Sequence, residues 1–264
     1  MKIAVVVVGR EILSGGTRDA NAHWICSRIS RMGLQVERVS IIDDDTDHIA
    51  LELGRLIRDG YDLILFTGGL GPTFDDLTLQ GVASGLGLDL EEQPEAVEFV
   101  RKRYAEFAEK GYVDFAELTP ERRKMASLPK GSRMLTNPAG SGPGVWIDGE
   151  AAVICLPGVP REMQSMFSEH VAPHIAQSAG VGGFYEMRLR TDCGDESVLV
   201  KATSTVRDRF PDLYIKSHPT TFAENTNLEI TISAWGDNSE DDVRRAADDL
   251  VRELRGLGVS ALQV

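Results

Sequence analysis

Residues 66–78 read FTGGLGPTFDDLT; they follow the apolar run DLILF and lead into LQGVASGLG. Glycines at 68, 69 and 71 let the backbone turn tightly and approach a ligand with no Cβ in the way. Successive amides in such a turn, together with the N-terminus of the next helix, form a nest for a phosphate group. Two adjacent carboxylates, Asp75 and Asp76, contradict that reading unless a divalent cation stands between them and the phosphate. Magnesium is usually held by one or two carboxylates plus substrate phosphates, so the stretch points to metal-assisted phosphate chemistry. The plain alternative is a turn after a strand, with an aspartate capping the following helix.

Elements of two kinds must position this loop. IAVVVV near the start is continuous and β-branched, as in a strand covered on both faces. NAHWICSRISRMG carries Ala22, Ile25, Ile29 and Met32 at helical spacing, with Gly33 as a stop. LQVERVSII predicts the next strand, DTDHIALELGRLIRDG a helix with Ile49, Leu53, Leu56 and Ile57 on one face, and DLILFT a third strand. Strand–helix–strand–helix–strand with short links implies right-handed crossovers and a mostly parallel sheet. A proline-started helix follows from Pro94, with Val97, Val100, Tyr104 and Phe107 as its stripe. TPERRKMA is a short helix that Thr119 could cap. GVWIDGEAAVICLPG reads as a hairpin with a type I′ turn at Asp148-Gly149, and REMQSMFSEHVAPHIAQ as a closing helix. AGVGG at 179–183 reads as a linker between a domain of residues 1–178 and a smaller one of residues 179–264. The second shows strand, helix, strand, strand, helix, strand, a split βαβ unit of two layers.

Composition narrows the function classes. Lys plus Arg is 28 against Asp plus Glu 41, a net charge of −13. Such a surface repels phosphate backbones and argues against nucleic acid as the main partner, but not against a small phosphorylated ligand. Cys26, Cys155 and Cys193 form no CxxC pair and read as apolar fillers in a reducing compartment. No transmembrane span appears, and the first apolar run is too short for a secretory leader, so a cytoplasmic protein is expected. The five histidines lack metal-ligand spacing, and no Ser–His or Cys–His nucleophile stands out. RKR at 101–103 and RRK at 122–124 read as solvated helix faces. GVGG at 180–183 matches GxxG but precedes a strand, which argues against RNA binding.

Four stretches in order, GREILSGGTRDAN, TGGLGPTFDDLT, NPAGSGPG (137–144) and LPGVPREM (156–163), resemble the signature of the MoaB/Mog molybdopterin-binding superfamily, in its CinA (competence/damage-inducible protein A) branch. GDES at 194–197 and KSHP at 216–219 resemble that branch's second domain, described as KH-like. The resemblance implies an α/β fold: a mostly parallel three-layer sandwich followed by a smaller α+β domain. It implies a pocket at the carboxyl edge of the sheet for a phosphorylated pterin or nucleotide. Gly68, Gly69, Leu70, Gly71 and Thr73 fall in the phosphate loop, and Ser14, Asn21, Asn137, Ser141, Gly142 and Gly158 fall in the other ligand-facing motifs. Asp76 falls at the catalytic aspartate of Mog-type adenylyl chemistry and Asp44 at a second acidic position; Asp75, Asp76, Glu11 and Glu162 are the candidates for a divalent cofactor, Mg²⁺, Mn²⁺ or Co²⁺.

Each of these has a structural alternative. Asp44 and Asn21 could cap helices, Pro157 and Pro160 could shape a turn, and Glu162 could favour a helix N-terminus. One departure stands out: the family commonly reads G-D-E or G-N-E where this chain has Gly9-Arg10-Glu11. Arg10 could pair with phosphate, pair with a neighbouring acid, or face solvent. The expected function is metal-dependent hydrolysis of ADP-ribose or a related nucleotide diphosphate, giving AMP and ribose 5-phosphate. Molybdopterin binding, with or without adenylyl transfer, uses the same pocket; the GGLGPT form, PGVPREM and the added domain lean toward the CinA branch. A non-catalytic nucleotide-binding module is the third reading, and Arg10 is its best support. Many members of the branch carry a further domain that deamidates nicotinamide mononucleotide; the sequence ends at Val264, so that activity is not expected. Relatives usually associate, so a homo-oligomer (dimer or trimer) is expected.

Overall fold

The computed structural model describes residues 1–178, 184–219, 227–236 and 238–264. The expected linker 179–183, with its GxxG match, lies outside them. Two compact units emerge: Met1–Ile29 with Gln35–Ala179, and Ser30–Leu34 with Gly180–Val264.

In the first unit, β1 (Ile3–Val8) is buried at every position, which is why its run has no polar residue. It is followed by α1 (Arg10–Leu13), α2 (Asn21–Ser30), β2 (Val36–Ile42), α3 (Thr46–Arg58), β3 (Leu63–Thr67) and α4 (Thr78–Leu86). Then come β4 (Leu90–Glu92), α5 (Pro94–Glu109), α6 (Pro120–Lys124), β5 (Ser127–Pro129), β6 (Arg133–Leu135), β7 (Gly144–Ile147), β8 (Ala152–Leu156), α7 (Pro160–Met166) and α8 (Ala172–Ser178). The main sheet has the order β2-β1-β3-β8-β7-β6. Its first four strands are mutually parallel, whereas β7 runs antiparallel to β8 and β6 antiparallel to β7. β2 alternates partly buried and exposed residues, as an edge strand does.

Alternation along the strands assigns the two faces. Ala4, Val6, Val8, Ile64, Phe66, Val153 and Cys155 share a core with Ile49, Leu53 and Leu56 of α3 and Leu79 and Val82 of α4. The intervening positions, Ile3, Val5, Val7, Leu63 and Leu65, are equally buried and point the other way, as are Ile25 and Ile29 of α2 and Met163 and Met166 of α7. Helices therefore cover both faces, which is the expected three-layer sandwich. Cys155 is fully buried and its thiol is pushed up to about 12 by burial, in keeping with a filler role.

Four local expectations change. The hairpin β7–β8 forms, but Ile147 pairs with Val153, so the connection is longer than a two-residue turn, and Gly149 does not take a positive φ. Asp148 instead accepts a hydrogen bond from Trp146 Nε1 at 2.8 Å. The closing helix is interrupted by a π turn, Phe167–Val171, just before Pro173, whose missing N–H cannot bond the carbonyl four residues back. Met32 lies beyond the end of α2, in a turn completed by Gly33 at φ 81°. The charge runs are solvated faces only in part: Arg101, Lys102 and Arg123 are exposed, but one arginine of each run turns inward. Arg103 Nε donates to the Gly140 carbonyl at 2.7 Å, and Arg122 stacks 3.9 Å over the Tyr104 ring.

The second unit contains β9 (Phe184–Thr191), α9 (Glu196–Arg209), β10 (Tyr214–Pro219), β11 (Leu228–Trp235), α10 (Ser239–Gly256) and β12 (Ala261–Gln263). The order β10-β11-β9-β12, antiparallel throughout, places the first strand between the third and fourth, as a split βαβ unit requires. Its own core joins Leu189, Ile230 and Ile232 to Leu199 and Val206 of α9 and Val243 and Leu250 of α10.

Candidate functional site

The loops at the carboxyl ends of β1, β2, β3 and β8 converge on one cavity of about 460 Å³, within the range of small-molecule sites. An open α/β sheet places ligands at this edge.

The glycine loop is set by two close approaches. Gly68 takes φ 104° with a carbonyl oxygen of Val8 only 2.2 Å from where a Cβ would lie; at Gly69, φ is 65° and Thr78 Oγ1 would be 2.3 Å from a Cβ. No side chain fits either position without strain. Thr78 Oγ1 donates to the Gly68 carbonyl at 2.8 Å and Thr78 N to the Gly69 carbonyl at 3.2 Å. The Gly68 amide is engaged by the Leu156 carbonyl at 3.1 Å and the Thr73 amide by Asp76 Oδ2 at 2.8 Å. The amides of Gly69, Leu70 and Gly71, between these two anchors, donate to no described group.

Asp75 and Asp76 both meet Thr73. Its hydroxyl, with one proton, lies 2.6 Å from Asp76 Oδ2 and 2.5 Å from Asp75 Oδ1. Asp76 thereby staples the loop. The hydroxyl, then the charges of Lys124 and Arg10, hold the exposed Asp75 carboxyl below its usual range. Lys124 Nζ donates to the Thr73 carbonyl from the end of α6. Partial burial lowers its pKa, against the opposing pull of Asp76 and Asp75.

Asp44 is released for the cavity because Asp45 does the capping, accepting from Asp47 N at 2.9 Å and His48 N at 3.0 Å. Asp44 Oδ2 accepts from the Arg10 amide at 2.7 Å. Partial burial pushes the Asp44 carboxyl up, and the charges of Glu11, Asp43 and Asp75 push the same way against that hydrogen bond. Arg10 pairs with the neighbouring acid, through two bonds of 2.8 Å to Asp43. Among its three readings, that one holds.

Asn21 does not cap α2. Asp19 does, accepting from Asn21 N at 3.1 Å and Ala22 N at 3.2 Å. The Asn21 side chain is buried and ties two loops together: Nδ2 donates to Thr67 Oγ1 at 2.9 Å and to the Gly158 carbonyl at 2.8 Å, while Oδ1 has no partner. Thr67 Oγ1 in turn donates to the Pro157 carbonyl at 2.9 Å. Asn137 is fully buried and wholly engaged, Nδ2 with the Gly142 carbonyl and Glu162 Oε2, Oδ1 with the amides of Ala139 and Gly140. It shapes the 137–142 loop and does not line the cavity; nor does Ser14, whose hydroxyl donates to the Glu11 carbonyl at 3.2 Å. The other expected residues all line it: Glu11, Asp44, Gly68, Gly69, Leu70, Gly71, Thr73, Asp75, Asp76, Ser141, Gly142, Gly158 and Glu162, together with Asn21.

The carboxylates do not form a ready-made metal cage. Among the described residues no group of three or more His, Cys, Asp or Glu side chains is placed to hold an ion. Glu162 accepts from Asn137 at 2.7 Å and Asp76 is engaged by Thr73. Asp75 is engaged by the same Thr73 hydroxyl, and its charge and that of Glu11 reach Asp44; acids so placed are compatible with a cation that brings its own phosphate ligands. Reasoning from sequence missed Lys124, Thr67, Thr78 and Asp19. Thr67 and Thr78 stood inside the quoted loop, but Lys124 is 51 positions from Thr73 and carried no signal of its neighbour.

A doubly covered, mostly parallel sheet with a glycine loop and acids around a cavity at its carboxyl edge defines an α/β domain of the doubly wound type. A family model described as "Probable molybdopterin binding domain" matches residues 4–177. A protein of Aeropyrum pernix is 39% identical over 216 residues, 81% of this chain and 78% of its own length. A protein of Thermoplasma acidophilum is 34% identical over 258 residues, covering 94% and 96%. The crystal structure of the protein CinA from Thermoplasma acidophilum, described as of unknown function, superimposes with a TM-score of 0.59 at 36% identity, covering 66% of this chain and 99% of that one. The chain belongs to the MoaB/Mog-type molybdopterin-binding domain family. No helix among the described residues is long and apolar enough to cross a membrane.

Proposed function

We propose that this chain hydrolyses the diphosphate bond of a nucleotide diphosphate of the ADP-ribose type, with a divalent cation (Mg²⁺, Mn²⁺ or Co²⁺) as cofactor. The observation that carries the reading is the meeting, in one cavity, of three unengaged amides at Gly69–Gly71 with acids whose charges, added to burial, push the Asp44 carboxyl up. An isolated anion site would not gather those acids; an anion that brings a cation with it would.

Each residue then has a task. The Gly69–Gly71 amides receive charge that develops on phosphoryl oxygens, where fixed donors act without reorganising. Asp75 and Glu11 would hold the cation, which when bound supplies polarisation of the phosphoryl oxygen and an acidified water. Asp44, whose carboxyl has raised proton affinity, is the base that takes a proton from the attacking water. Asp76 acts through the loop by holding Thr73. AMP and ribose 5-phosphate leave.

Incubating pure protein with ADP-ribose and each cation, and following AMP by chromatography, tests the reading. AMP formation that Asp44→Asn removes, and that Asp75→Asn shifts to higher cation concentration, is expected. Binding of molybdopterin through the same cavity is the second reading, favoured by the family model over residues 4–177. No AMP with tight molybdopterin binding would move the assignment there, and nucleotide binding without turnover would make the chain a non-catalytic module.

A further inference from the structure

Six acidic residues line the cavity, Glu11, Asp19, Asp44, Asp75, Asp76 and Glu162, and among the described residues the lining has a single basic one, Arg18. In an acidic wall an arginine is expected to pair. Arg10, eight positions earlier, does so completely with Asp43. Arg18 forms no hydrogen bond or ion pair with any described residue.

The residues on either side of it in the chain, by contrast, are both held. The Thr17 amide donates to the Glu11 carbonyl at 2.9 Å, and Asp19 Oδ1 accepts from the amides of Asn21 and Ala22 at the start of α2. Capping engages Oδ1 of the adjacent acid, Asp19, and no ion pair between it and Arg18 forms. The result is a fixed attachment point, beside the cavity, for a guanidinium whose five donors are unengaged.

We infer that Arg18 is a second anion subsite of this cavity, contacting phosphoryl oxygens of the ligand that the Gly69–Gly71 amides do not reach. The inference rests on the reading of the cavity as a phosphate site and narrows its substrate class. A ligand with two phosphoryl groups in series offers oxygens to both the amide nest and the guanidinium, and its charge needs both inside an acidic wall. A planar fork suits such oxygens bidentately, which an ammonium does not. Arg18 is thus a specificity residue for diphosphates.

Titration calorimetry on the full chain, with Mg²⁺ present, uses inorganic pyrophosphate as the probe and adenosine as the uncharged control. Arg18→Ala is expected to weaken pyrophosphate about 10- to 100-fold and to leave adenosine unchanged. Arg18→Lys is expected to recover part of that loss by keeping charge without the fork. Equal pyrophosphate affinity in wild type and Arg18→Ala overturns the inference, as does loss of both probes together or a wild type that binds no pyrophosphate. Absence of AMP from ADP-ribose, with the pyrophosphate result intact, overturns the hydrolytic reading alone. Unchanged far-UV circular dichroism of both variants is the control for folding.

Discussion

Asp44, Asp75 and Asp76 line one cavity, yet their three environments differ. Asp44 has raised proton affinity from burial and from Glu11, Asp43 and Asp75, so its ionised form is disfavoured by the fold. A carboxyl raised in the folded state stabilises the fold at low pH, and that contribution is lost as pH rises through the folded value. Asp44→Asn keeps an acceptor for the Arg10 amide and removes the charge, so it is expected to raise the Tm of the ligand-free protein at neutral pH while removing turnover, measured by calorimetry and AMP release. In the wild type, the acidic limb of turnover against pH is expected above the ordinary aspartate range. Asp75 is lowered by the Thr73 hydroxyl, and its contribution is lost only as pH falls through its folded value. Asp75→Asn is expected to raise the half-saturating metal concentration by about tenfold or more. Asp76→Asn is expected to lower kcat and leave that concentration unchanged, because Asp76 works through Thr73. Equal metal dependence in the two variants would contradict the division of roles.

At the scale of elements, the loop between β3 and α4 is held by backbone approach more than by side chains. Gly68→Ala would force a Cβ against the Val8 carbonyl at a φ of 104°, and the conformation alone costs about 1–3 kcal/mol. Urea denaturation should show that loss. Gly71→Ala is different: its φ is not positive, but the new Cβ would lie 2.6 Å from Asp76 Oδ2 and loosen the Thr73 staple. It is expected to reduce turnover with little change in stability. The elements themselves were legible because β1, β3 and α3 each bury a periodic set with no polar interruption. The short strands β4 and β5 were not, since three-residue strands 35 positions apart carry no period of their own. The π turn before Pro173 was hidden for a related reason: the apolar spacing of 163–175 reads as helix whichever carbonyl each amide selects.

For the whole molecule, the two cores share no residue, and each contains strands and helices enough to exclude water from its own centre. A chain of residues 180–264 is therefore expected to unfold cooperatively by itself, which thermal circular dichroism would check; a gradual, non-cooperative melt would show that its core needs the rest of the protein. The acidic balance of the chain, −13, extends into the cavity lining, which is why an uncompensated anion would be repelled there.

Sequence by itself determined the kinds of element, their order, the glycine loop and the family, because periodicity and glycine placement are local and the four motifs are read in order along the chain. Tertiary structure alone decided that Asp45 and Asp19 cap helices while Asp44 and Asn21 bond elsewhere in the cavity wall, since near neighbours of similar chemistry differ only in direction. It also decided that Asn137 and Glu162 engage each other and that Lys124 reaches Thr73. Those pairings join positions far apart in the chain, and only the packing of the sheet edge brings their donors and acceptors within a hydrogen bond.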